Sequence, residues 1–160
     1  MDNIVVGIDG SKSAQTAARW AATQAQQSGA RVIAVYAVPR TELWSLSAVQ
    51  VNIDELLAEM QGNLDGPWTA PLRKAGVEHT TQLVRGDPAT ELLRAAKRAR
   101  ASMLVLGSKG HGALADLVVG GTVHKVINRS NIPVVLIPTP PTAKKSGTPR
   151  KATSRRPSRS

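Results

Sequence analysis

The segment Val105-Leu106-Gly107-Ser108-Lys109-Gly110-His111-Gly112 turns an apolar run, Met103 to Leu106, into glycines at 107, 110 and 112 with a lysine and a histidine among them. A second glycine pair, Gly120-Gly121-Thr122, then opens a helix-like stretch. Glycine admits positive φ angles and close backbone approach, so main-chain N–H groups in such a loop can converge on a small anion. The segment therefore reads in two ways, as a phosphate cradle or as a loop that only turns the chain. Glycine density alone leaves both open.

Outward from this loop the chain alternates between two kinds of segment. Residues 3–9 form a short, almost wholly apolar run that ends in Asp9-Gly10, as do strands covered on both faces. Ser11 is placed to cap a helix whose inner stripe is Ala14, Ala17, Ala18, Ala21, Ala22 and Ala25, joined by Trp20, with Ser28-Gly29 at its end. Arg31 to Val38 is a second strand, closed by Pro39. Residues 40–52 lack a clean period and are expected to form a loop, leading into a helix carried by Ile53, Leu56, Leu57, Met60 and Leu64. Pro67 and Pro71 predict a break near Gly66 and a second helical piece to Lys74. Val77 to Val84 is strand three. Asp87 is a turn or cap residue before Pro88, which starts the helix of Leu92, Leu93, Ala95, Ala96 and Ala99. Strand four runs from Met103 to Leu106, a helix from about Thr122 to Arg129, and strand five through Ile132–Pro138.

The order β-α-β-α-β-α-β-α-β with apolar strands predicts an α/β, doubly wound, Rossmann-like parallel sheet with helices on both faces. Ligands on such sheets sit beyond the carboxyl ends of the strands where strand order reverses. If strands one and four are neighbours, Asp9 and Gly107 face one crevice.

The chain has 160 residues, no cysteine and a formal charge of +10. That length suits one domain. Without cysteine there is no disulfide, thiolate nucleophile or cysteine zinc site. The N-terminal residues lack the basic start and long apolar core of a signal peptide, and no stretch approaches the ~20 apolar residues of a membrane span, so a cytoplasmic location is expected. Residues 139–160 hold seven lysines or arginines and no acid, which leaves +3 on residues 1–138. We divide the chain into an α/β domain, 1–138, and a basic tail, 139–160, whose Pro, Ser and Thr content predicts disorder. The tail reads as a solubilising extension or as a weak, salt-sensitive polyanion contact, without aromatics for base stacking.

Among phosphate-binding patterns, Walker A fails because Lys109 precedes Gly110. Gly110-x-Gly112-x-x-Ala115 fits a dinucleotide pattern, but no acidic residue follows Asp116 at the end of the next strand. The longer spacing, Gly107-x2-Gly110-x9-Gly120, resembles the universal stress protein family. So do IVVGIDGSKSAQTAARWA (4–21), VRGDPATELLRAA (84–96), LVLGSKGHGALADLVVGG (104–121) and NIPVVLIP (131–138), in that order. The resemblance covers residues 3–138, with 40–75 loosely matched.

It implies a five-stranded sheet of order 3-2-1-4-5 and a homodimer through the strand at 132–138. It also implies ATP, with or without Mg2+, as ligand. Asp9 would contact the ribose or adenine edge and Val35 would lie beside adenine. Gly107, Ser108, Lys109, Gly110, Gly120, Gly121 and Thr122 would surround the phosphates. Two positions depart from the family pattern. Gly121 stands where Ser or Thr supplies a hydroxyl to a phosphate, which implies weakened or lost binding unless Thr122 substitutes. Ser102 stands where Asp is usual. The implied function is that of an ATP-binding regulatory protein in the stress response, a sensor or adaptor with slow hydrolysis at most. The alternative is a nucleotide-free module of the same fold whose basic tail engages acidic partners.

Taken singly, Lys109 reads as a phosphate partner or a solvated loop charge. His111 could reach phosphate, and no Asp/His pair at metal spacing supports a metal site. His79 and His124 read as ordinary surface residues. No nucleophile–base constellation is present.

Overall fold

The structure, a computed structural model, describes residues 2–109 and 119–139. Five parallel strands, β1 (Asn3–Gly7), β2 (Arg31–Val38), β3 (His79–Arg85), β4 (Met103–Gly107) and β5 (Val134–Ile137), form one sheet of order β3-β2-β1-β4-β5. This is the order that the family resemblance implies. Val5 pairs with Ile33 on one side and Leu104 on the other, so β1 is the central strand. Every residue from Val32 to Val38 is buried, which is why β2 reads as a continuous apolar run. The edge strand β3 alternates between half-buried and exposed over His79–Leu83.

Successive side chains of a strand point to opposite faces. Ile4, Val6, Val32, Ala34, Tyr36 and Val38 therefore join one core, while Val5, Ile33, Val35, Leu104 and Leu106 join the other. The first core is covered by α1 (Lys12–Ser28), α3 (Ile53–Asp65) and α4 (Ala70–Lys74), the helix that follows α3 after a single 3-10 turn at Pro67–Thr69; α2 (Arg40–Ser47) lies ahead of α3. The second core is covered by α5 (Pro88–Arg98) and α6 (Gly121–Arg129).

Local chemistry sets the ends of these helices. Ser11 accepts the Ala14 N–H at 3.1 Å, and Gly29 in the left-handed region (φ 70°) donates to the Ala25 carbonyl at 2.9 Å. The predicted alanine stripe of α1 is buried throughout, and its small side chains bring the helix close to the sheet. Trp20 packs against the same core. Asn52 caps α3 by accepting from Asp54 and Glu55. Asp87 caps α5 by accepting from Thr90, and it also meets Lys125 of α6 at 3.2 Å.

Four sequence expectations need correction. Residues 40–47 form a helix rather than a loop; it buries no residue and leaves Trp44 83% exposed, so it has no core-facing stripe to read. Strand three begins at His79 rather than Val77, whose N–H is taken by the Leu72 carbonyl at the end of α4. Strand five is confined to Val134–Ile137, and the last helix begins at Gly121 rather than Thr122. The basic tail from residue 140 lies outside the described residues.

Candidate functional site

The chain leaves β1 toward the α1 layer and leaves β4 toward the α6 layer. Because these strands are neighbours, the backbone parts between their carboxyl ends. A crevice of about 650 Å³ opens there. From β2 across β1 to β4 it spans two strand spacings, roughly 10 Å.

At the β2 side stand Tyr36, Ala37, Pro39, Glu42 and Trp68. Asp9 follows β1, and its Oδ1 accepts the Ser11 N–H at 2.9 Å, so one carboxylate both shapes the turn and lines the crevice. Gly10 has φ 80°, and a Cβ there would fall 2.6 Å from the Trp68 ring. Trp68 meets Tyr36 at right angles, with ring centroids 5.2 Å apart. Burial, and then the negative charges of Glu42 and Asp9, push the Tyr36 hydroxyl up to about 12, so it stays neutral at physiological pH. Val35 lies on the floor, its carbonyl accepting the Ile8 N–H at 2.8 Å.

At the β4 side stand Gly107, Lys109, Gly120, Gly121, Thr122 and Val123. The Lys109 N–H donates to Ser13 Oγ at 3.1 Å. Ser108 is not among the lining residues. Its N–H donates to the Ile137 carbonyl at 3.0 Å and its carbonyl accepts the Gly120 N–H at 3.1 Å, which ties the neck of the loop between them. Gly120 is the N-cap of α6 and gives it no side-chain cap bond; the first bond within the helix is from the His124 N–H to the Gly120 carbonyl. The N–H groups of Gly121, Thr122 and Val123 precede that bond, at the positive end of the helix dipole and on the wall of the crevice. Gly110, His111 and the dinucleotide-like pattern lie outside the described residues.

The structure thus brings Asp9, Val35, Gly107, Lys109, Gly120, Gly121 and Thr122 to one cavity. Tyr36, Glu42, Trp68 and the buried Ser13 were not anticipated. Tyr36 had a legible place, next to Val35 at the end of a strand. Glu42 and Trp68 come from the segment whose periodicity is weakest. His79 is half-buried in β3 with Nδ1 2.8 Å from the Val77 carbonyl, and His124 is exposed on α6. Among the described residues, no group of three His, Cys, Asp or Glu side chains could hold a metal, and no helix is long and apolar enough to cross a membrane.

The model of the universal stress protein family matches residues 1–138. The chain belongs to this family. A universal stress protein of Methanocaldococcus jannaschii is 28% identical over 145 residues, covering 86% of this chain and 82% of its own. One from Mycobacterium tuberculosis is 33% identical over 138 residues, and this chain spans only 44% of its length. Among solved structures, a universal stress protein of Archaeoglobus fulgidus is 26% identical with a TM-score of 0.68, covering 85% of this chain and 98% of its own. A universal stress protein in complex with cAMP is 25% identical with a TM-score of 0.65, covering 85% and 95%.

Proposed function

We propose that the crevice binds an adenine nucleotide, ATP, as a regulatory ligand, and that the protein acts as a sensor or adaptor in the stress response. The observation that carries this reading is the polarity of the crevice. An aromatic, acidic side made by Tyr36, Trp68, Asp9 and Glu42 faces a side made of Lys109 and the N-terminus of α6. A nucleotide has the same polarity. Its base and ribose present apolar faces and N–H or O–H donors, and its phosphates present negative charge that a helix N-terminus and a lysine stabilise. The neighbour in complex with cAMP lends support. Mg2+, where it accompanies ATP, would be held mainly by the phosphates, because Asp9 and Glu42 belong to the nucleoside side.

The same arrangement favours binding over turnover. No described lining residue is a histidine or cysteine, and the two carboxylates stand on the side away from the terminal phosphate. The second reading, a nucleotide-free interaction module, draws its support from Gly121, which offers no hydroxyl.

Calorimetric titration of the full chain separates the two. ATP should bind more tightly than AMP, and Lys109→Ala should remove most of that difference. No saturable heat with ATP would sink the nucleotide reading.

We also propose a homodimer through residues 132–138. β5 is an edge strand whose Val134, Val135, Leu136 and Ile137 are only half-buried, and an apolar edge invites pairing. Light scattering should give twice the 16.9 kDa chain mass at micromolar concentration, and a monomer mass would refute the dimer.

A further inference from the structure

Two side chains of the crevice have chemistry beyond holding a generic nucleotide. Trp68 sits on the 3-10 turn between α3 and α4, yet its ring lies over Gly10 and against Tyr36, so it is fixed from two directions at the carboxyl ends of β1 and β2. Tyr36 is itself only 8% exposed and cannot swing away without opening the core. Glu42, in the first turn of α2, shares the crevice wall with Tyr36, Ala37 and Pro39. We propose that Trp68 is the apolar platform for the base and Glu42 its polar reader, so that the crevice selects a 6-amino purine over a 6-oxo purine. This rests on the reading that the crevice holds a nucleotide.

The chemistry is one of matching donors to acceptors. An ionised carboxylate only accepts hydrogen bonds. The exocyclic amino group of adenine donates, whereas the 6-oxo group of hypoxanthine presents another acceptor and is repelled. Asp9 adds negative charge to the same side, and the upward displacement of the Tyr36 titration shows that Tyr36 senses both carboxylates. An aromatic surface binds any base by stacking and does not choose between the two. Affinity is thus assigned to Trp68 and selectivity to Glu42.

The test titrates the full chain with ATP and with inosine triphosphate. The parent should prefer ATP about tenfold, the scale of one charge-assisted hydrogen bond at a partly solvated site. Glu42→Gln, at an exposed position, should fold normally and bring the ratio to about one to three. Trp68→Leu should weaken both ligands about tenfold and keep the ratio. Because that variant alters packing at Gly10, a second arm leaves Trp68 in place. Trp68 is one of three tryptophans, and with Trp20 and Trp44 changed to Phe its emission should respond to ATP but not to tripolyphosphate. ATP binding with an unchanged ratio in Glu42→Gln, or with unaltered Trp68 emission, overturns this proposal alone. A parent that binds neither nucleotide overturns it together with the reading it rests on.

Discussion

Gly121→Ser should tighten ATP binding by about ten- to a hundredfold. Gly121 is the first residue of α6, directly after the N-cap Gly120, and it lines the crevice. A side chain placed there meets no atom within 4 Å, so serine enters without displacing anything. Its hydroxyl would add one hydrogen bond to a charged oxygen, worth roughly 1.5–3 kcal/mol, which is where the expected factor comes from. Gly121→Ala is the control, because it shares the effect on the helix backbone and lacks the hydroxyl. Its affinity should stay within about threefold of the parent.

The competing account is that Thr122 already supplies the missing group. Thr122 also lines the crevice, but one helical residue rotates a side chain by ~100°. A parent whose ATP binding collapses in Thr122→Val and gains nothing in Gly121→Ser would establish that account and sink ours. Calorimetric dissociation constants for the three variants distinguish the two.

What could be read before folding follows from how local its cause is. The cap at Ser11, the alanine stripe, the stop at Gly29 and the Asp87-Pro88 start depend on neighbours within one or two turns, and they appear where the chain announces them. The alternation of apolar runs pointed to a parallel doubly wound sheet, while the order of its strands came from resemblance, since periodicity carries no information about which strands touch. Asp9, Lys109 and the 120–122 segment were legible as site residues because they follow strands whose ends were clear. Glu42 and Trp68 were not, because their positions depend on how α2, α3 and the 3-10 turn pack against distant residues such as Gly10 and Tyr36. Ser108 was assigned to the ligand on its place in the loop, but its backbone closes the β4–β5 ladder and the loop neck instead.

Gly107 is the residue whose role changes most. In the sequence it reads as a glycine that lets the loop wrap phosphate. In the structure, a Cβ on Gly107 would press on Ser13 Oγ and lie 2.6 Å from the Ser13 carbonyl carbon and 2.7 Å from its oxygen. Those last two are backbone atoms of the first turn of α1, so no rotamer change relieves the clash. The turn could retreat only by lifting the alanine stripe, buried at Ala14, Ala17 and Ala18, off the sheet. It would also strain the bond from Lys109 to Ser13. Gly107→Ala should therefore cost about 2–3 kcal/mol in the ligand-free protein, as overpacking does, and lower Tm by roughly 5–10 °C for a domain of this size. Ser13→Gly in the same chain should recover only part of the loss, because it removes the hydroxyl and leaves the backbone contact. Thermal unfolding without nucleotide reads this directly. If Gly107→Ala melts with the parent and loses only ATP, the glycine serves the ligand; a lowered Tm without ligand assigns it to the packing of α1 on β4, which in turn fixes where the loop begins.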